Sequence, residues 1–302
     1  MPHPDRPRCG GGRRMSATDR LVSVPMRSRP IFGWALHDGF VVARRNLIQT
    51  VRVPELLFFS LVQPVIFVLL FAFVFGGAIP IPGADPTAEP DTSVYRQYLM
   101  PGIFGQTVAF AAAASTVGLA EDMHRGLIDR FRSLPMASGA VLFGRTFADA
   151  ARQILVLTVL SITGYLVGWR INDGVISAIG AFALLLLFAY TVAWIGAWIG
   201  LYMPNPETAN TAGLVWLFPL TFLSNAFVPI TAMPDWLQPI AQWNPISSLV
   251  LAARDLFGNP TGIVGDAWPQ QNPILYTLIS CAVLIAIFAP LAIRRYRRTT
   301  AR

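Results

Sequence analysis

The sequence predicts an all-α integral membrane fold of six spanning helices, and three observations carry the prediction. Of 302 residues, 54% are hydrophobic and only 13% are charged, with a mean hydropathy of +0.53. A soluble domain carries about a quarter of its residues as charge, so too little polar surface is left to cover a ball of this size. Six apolar runs then follow one another, each near the roughly 20 residues that cross a hydrocarbon core. Finally, the arginines collect on one side of those runs, as the positive-inside rule requires.

Residues 1–30 hold Arg, Pro, Gly and Ser with no apolar run, and read as a disordered cytoplasmic tail. No apolar stretch follows the early arginines as a secretory signal would require. Met15 and Met26 are alternative starts. In residues 31–53, Phe32, Leu36, Phe40, Ala43, Leu47 and Val51 recur every three or four positions, with Asp38, Arg45 and Arg52 opposite. Pro30 and Pro54 bracket the segment. Such a basic amphipathic helix lies in the membrane interface; the alternative is a core helix of a soluble domain. Residues 54–298 form the transmembrane domain. Its spans are expected at about 56–79, 98–120, 141–168, 175–200, 209–230 and 274–293, with Trp169, Trp236, Trp243 and Trp268 as interfacial aromatics.

With the N-terminus inside, 20 arginines lie on the inner side, against Arg96, Arg170 and Arg254 outside. Both termini are therefore expected in the cytoplasm. The formal charge of +7 is a topology signal and a match to anionic lipid headgroups, not a sign of nucleic-acid binding. Before the sixth span, residues 231–272 are too apolar and Pro-rich for a solvated loop. They predict either short helices dipping into the outer leaflet, shielded by protein, or a hairpin lying on the surface.

The same residues exclude several chemistries. All 23 basic residues are Arg, with no Lys, so no Walker A loop can be drawn, since its Lys reaches the β- and γ-phosphates. His3, His37 and His124 form no HExxH pair, and Cys9 and Cys281 offer neither a disulfide framework nor a metal site. Ion-coupled transporters carry ionisable groups inside their spans; here the candidates are Asp149 and Arg152, three residues apart on one helix face. They read as a mutually satisfying pair near the inner interface, or as a gating pair. Gly196 and Gly200 form a GxxxG, which permits close packing between neighbouring helices.

The inner loop between spans two and three is the informative segment. Met123, Leu127, Phe131 and Leu134 make an apolar stripe at helical spacing, with Asp122, Arg125, Asp129 and Arg132 opposite. Glu121 and Arg125 stand at i,i+4, and Pro135 stops the helix. A short amphipathic helix over residues 121–134 suits docking into a groove on a soluble partner; a salt-bridged loop helix without a partner fits the pattern equally.

The run Gly118–Met136 (GLAEDMHRGLIDRFRSLPM) resembles the inner-loop signature of type-2 ABC transporter permeases, most closely the daunorubicin-resistance subgroup of drug and lipid exporters. Further matches are Pro204-Asn205-Pro206-Glu207, Ser224–Pro229, Met233–Leu237, Asn244–Ser247 and Ala252–Leu256, in order between residues 40 and 298. Met203 stands where the family leads one to expect a basic residue. The resemblance implies the permease subunit of an exporter moving a hydrophobic or amphiphilic drug or lipid outward across a bacterial cell membrane. It implies a separate ATP-binding cassette subunit, in two copies, holding ATP and magnesium, and a second permease chain, the same or homologous. This chain itself would bind no cofactor or metal and catalyse nothing. Glu121, Asp122, Arg125, Gly126, Leu127, Asp129, Arg130, Phe131 and Leu134 would form the coupling helix seated on the ATPase. Pro229, Met233, Pro234, Trp236, Asn244, Pro245 and Arg254 would belong to a segment re-entering from outside, the first of the two readings above. The rival reading is a secondary transporter or channel that needs no ATPase.

Overall fold

The computed structural model describes residues 54–74, 92–126, 138–262 and 265–299. The tail 1–30, the amphipathic helix 31–53, the end of the first span beyond Val74 and residues Leu127–Leu134 lie outside the described residues. Within them the fold is all-helical. The longer helices are α1 (Pro54–Val74), α2 (Thr92–His124), α3 (Ser138–Val167), α4 (Gly174–Gly200) and α5 (Pro206–Phe222). After a 3₁₀ turn at Ile230–Ala232 come α6 (Gln238–Gln242), α7 (Pro245–Phe257), α8 (Trp268–Gln271) and α9 (Pro273–Thr299). Among the described residues four helices are long and apolar enough to cross a membrane: α2, α3 from Leu142, α4, and α9 as far as Arg298.

α2 is the axis of the bundle, touching α1, α3, α4, α5 and α7. Its core face is small where neighbours come closest. A side chain at Gly196 or Gly200 would strike the backbone of Ala112 or Thr116, so the GxxxG seats α4 on α2 of the same chain. The matching order of these contacts makes α2 and α4 parallel. α3 runs the other way, with Asp149 on Ser115 and Gly164 against Met100. α5 also opposes α2, with Gly213 packed on Ala113 and Phe218 on Phe110. α9 again follows α2, because Ala292 and Tyr296 near its end join Leu119, Leu142, Trp194 and Leu201 in one cluster.

The fifth expected span is corrected. An unbroken helix over 209–230 does not form: α5 begins at Pro206, capped by the Asn205 side chain, which accepts from the Thr208 N–H at 2.8 Å, and stops at Phe222. Pro219 lies one turn before that end, and the Ser224 hydroxyl, donating to the Thr221 carbonyl and accepting from the Ala226 N–H, gives the backbone a side-chain partner in place of the helix ladder. Asn244 then joins the break to the next helix. Its amide donates to the carbonyls of Leu220 and Leu223 at 2.6 and 3.2 Å, while its oxygen accepts from the Ile246 N–H at 2.9 Å. One side chain thus caps the end of α5 and the start of α7.

Trp169 is also corrected. It is not an interfacial anchor but a core residue, 2% exposed, with its indole N–H donating to Asn259 Oδ1 at 2.7 Å and its ring edge-on to Phe104 and Phe257. Trp236, Trp243 and Trp268 are exposed. An indole sits in the core where its N–H finds a partner, and Asn259 supplies one that lies 90 residues away in sequence.

Candidate functional site

Three groups of residues are candidates for function, each on α2 or packed against it. The first is its C-terminal end. Glu121 and Asp122 are the last turn of this 33-residue helix, not the start of a separate one. The expected continuous helix over 121–134 is therefore corrected in its first turn. Gly126 has φ +65°, a left-handed conformation that stops a helix and that only glycine adopts without strain. Glu121 and Arg125 pair at 3.4 Å on the surface. Asp122 is taken instead by Arg145 of α3, in a largely buried ion pair and hydrogen bond. Gly118 makes that pairing possible, since any side chain there would occupy the place of the guanidinium. Arg145 carried no sequence signal beyond its charge.

The second group lines a cleft of about 490 Å³ between α1, α2, α3 and α5. Glu121, Asp122, Arg125 and Arg145 stand at one end. Asp149, Arg152, Gln153 and Asn210 follow, and Gln63, Gln106, Phe67, Phe110 and Leu214 line the rest. Asp149 and Arg152 are both here, but the expected mutual pair is not formed. The ion pairs among the described residues involve Glu121–Arg125 and Asp122–Arg145, and Asp149 accepts a 2.7 Å hydrogen bond from the Ser115 hydroxyl. A hydroxyl on the neighbouring helix reaches the carboxylate without stretching a long side chain along its own. Gln106 and Gln153 are 3% and 4% exposed, and the Gln153 side-chain oxygen has no partner among the described residues. Buried amides at a cavity wall are what a binding site uses to orient a ligand. Reading span by span missed them, because Gln63, Gln106, Gln153 and Asn210 come from four different helices.

The third group is the segment after α5. Of its expected residues, Pro229, Asn244 and Arg254 are buried, Met233 and Pro245 are partly covered, and Pro234 and Trp236 are exposed. α7 is enclosed by α2, α4 and α9, with Ile246 through Arg254 all buried. It ends at Gly258, φ +65°, where an added Cβ would come within 3.1 Å of Asn172 and Asp173. Arg254 is 0% exposed, although a charge in an outer connection would be expected in water. Its Nε donates to the Tyr98 carbonyl at 3.0 Å and its Nη2 to the Asn225 and Ala226 carbonyls at 2.9 and 3.3 Å.

An all-helical bundle with an amphipathic cleft and no Walker A loop has the form of a membrane transport subunit, and sequence comparison agrees. Residues 38–257 match the ABC-2 type transporter family, and the chain belongs to that family. It is 35% identical over 273 residues to a daunorubicin resistance ABC transporter permease of Streptomyces coeruleorubidus, covering 90% of each chain. A doxorubicin resistance ABC transporter permease of Mycobacterium tuberculosis (strain H37Rv) is 27% identical, over 77% of this chain and 80% of its own. A putative transport permease (ycf38) of Cyanophora paradoxa is 26% identical, over 84% and 85%. The protein is thus a multi-pass ABC-2 permease subunit, homologous to drug-resistance exporters, and not itself an ATPase. A subunit of this kind implies a partner ATP-binding subunit.

Proposed function

We propose that this chain is the membrane half of an exporter that moves a hydrophobic or amphiphilic drug or lipid outward, driven by two copies of a separate ATPase that hold ATP and magnesium. The cleft carries the reading. Its charged end at Glu121–Arg145, amide-lined middle and aromatic wall match a cargo with one polar and one greasy end, and its volume is of drug size. The drug-resistance names of the relatives in Streptomyces and Mycobacterium point the same way.

The arrangement reads as six crossings of the bacterial cell membrane with both termini cytoplasmic. Residues 1–30 are the tail, 31–53 the interfacial helix and 54–298 the transport domain. A second permease chain, the same or homologous, completes the translocation path. Residues 121–134 are the seat of the ATPase: Glu121, Asp122, Arg125 and Gly126 from the end of α2, then Leu127, Asp129, Arg130, Phe131 and Leu134. The segment from Pro229 to Arg254 re-enters from outside, and the enclosure of α7 by three helices supports this, because backbone at membrane depth needs protein around it.

The test is reconstitution with a partner ATP-binding cassette subunit. Liposomes holding both subunits should accumulate an anthracycline on ATP addition, and Glu121→Arg or Arg125→Glu should lower that uptake by roughly tenfold while the chain still inserts. Wild-type ATP hydrolysis and transport in both reversal variants would remove residues 121–125 from the coupling role. Transport by this chain alone under an ion gradient would overturn the exporter reading.

A further inference from the structure

A buried cation is costly inside an apolar bundle unless its hydrogen bonds are met. Arg254 is wholly buried, and among the described residues no carboxylate lies within 4 Å of it. Its Nε and Nη2 bond backbone carbonyls from two separate elements, Tyr98 in α2 and Asn225 and Ala226 in the break after α5, while its Nη1 has no partner among the described residues. Its guanidinium also sits 3.5 Å over the Tyr98 ring, and the Tyr98 hydroxyl donates to the Asn225 carbonyl at 3.4 Å. Gly102, one turn further along α2, has its face against the Ala226 backbone. If packing were the only need, an apolar side chain of similar volume would fill the site at lower cost. What arginine adds is a fixed fork that reaches two elements at once. Those elements join at the far end of the helix whose last turn is Glu121 and Asp122. At 1.5 Å per residue, Tyr98 and Glu121 are about 35 Å apart on one helix.

We propose that Arg254 is a positioning residue of the transport cycle, clamping α7 and the turn at Asn225–Ala226 onto α2 so that they move as one body when the ATPase displaces the Glu121 end. This inference rests on the exporter reading. Without the clamp, displacement of α2 would be absorbed at the break after α5. The outer side would then stay shut although ATP is hydrolysed.

Two sets of variants test it, made on a chain with Cys9 and Cys281 replaced by Ser and Ala. An added Cβ at Gly105 lies 3.8 Å from the Val250 Cβ, the separation found in disulfides. Gly105→Cys with Val250→Cys therefore ties α2 to α7 covalently while Arg254 stays in place. With the bond oxidised, ATP-driven uptake into liposomes should remain within about twofold of the reduced form; a loss of roughly tenfold or more would mean that α2 and α7 must separate, and would overturn the clamp. In the second set, Arg254→Met should cut uptake roughly tenfold while ATP hydrolysis by the assembled complex changes less than about twofold. Arg254→Lys should not recover it, because one ammonium cannot span both carbonyl sets. Oxidising the cysteine pair in the Arg254→Met chain should restore uptake. Normal uptake in Arg254→Met, full rescue by Lys, or no rescue by the disulfide would each refute the clamp. Failure of the exporter reading is distinct: it shows as absence of ATP-driven uptake in the wild-type complex.

Discussion

At the level of single residues, most Thr hydroxyls of this bundle bond back along their own helix, while a few charged and amide side chains tie one helix to another. Asp149 and Arg152 illustrate it: the i,i+3 spacing invites a local pair, yet the carboxylate takes the Ser115 hydroxyl of α2. A double-mutant cycle on unfolding in detergent should give about 1–2 kcal/mol of coupling between Asp149 and Ser115, and under about 0.5 kcal/mol between Asp149 and Arg152. The reverse order would show that the two charges find each other in the membrane. Asn244 acts across helices too, holding two carbonyls of α5 and the first turn of α7. Asn244→Ala leaves those groups without their cap and should cost about 1–3 kcal/mol in the same unfolding measurement. An Asn244→Ala chain as stable as wild type would mean that water reaches the break.

At the level of elements, α4 carries glycines with opposite expectations. Gly196 lies against the backbone of Ala112, whereas a Cβ at Gly180 would meet only Leu256 methyls at 3.9 and 4.0 Å. Gly196→Val should therefore force α4 off α2 and abolish the folded chain, read as loss of a monodisperse peak in detergent. Gly180→Ala should be neutral or stabilising by up to about 1 kcal/mol, since alanine is the better helix former. The helices themselves were legible: the α2, α3, α4 and α9 boundaries lie within six residues of the expected spans, because long apolar runs have few other structures open to them in lipid. Three features were not. The apolar run 209–230 hides the end of α5, since Phe222, Leu223, Ala226, Phe227 and Val228 are as greasy as a helix. Trp169 reads as a headgroup anchor because its partner Asn259 is distant in sequence. Arg254 counts as an outer charge until the fold buries it. Each depends on a contact across 28 residues or more, or on a local break that hydropathy does not register.

At the level of the whole molecule, the chain path bears on the number of crossings more than helix length does. If only the four long apolar helices crossed, the chain would enter α9 on the side where α4 ends. Yet Ala292 and Tyr296, near the C-terminal end of α9, pack with Leu119 and Leu201, which puts that end beside the ends of α2 and α4. Residues 206–272 must therefore return across the bundle. α5, with 17 residues, covers about 25 Å, and α7, with 13, about 20 Å; together they exceed a hydrocarbon core of about 30 Å. A short helix, a capped break and a buried second helix can make the return that one long span would make elsewhere. Single cysteines on a cysteine-free chain test this in intact cells with a membrane-impermeant maleimide. Asp173→Cys and Asp266→Cys should label from outside, while Arg125→Cys and Arg298→Cys should label only after the membrane is opened. With four crossings, Asp266→Cys would be protected and Arg298→Cys labelled, so these two positions decide between the paths.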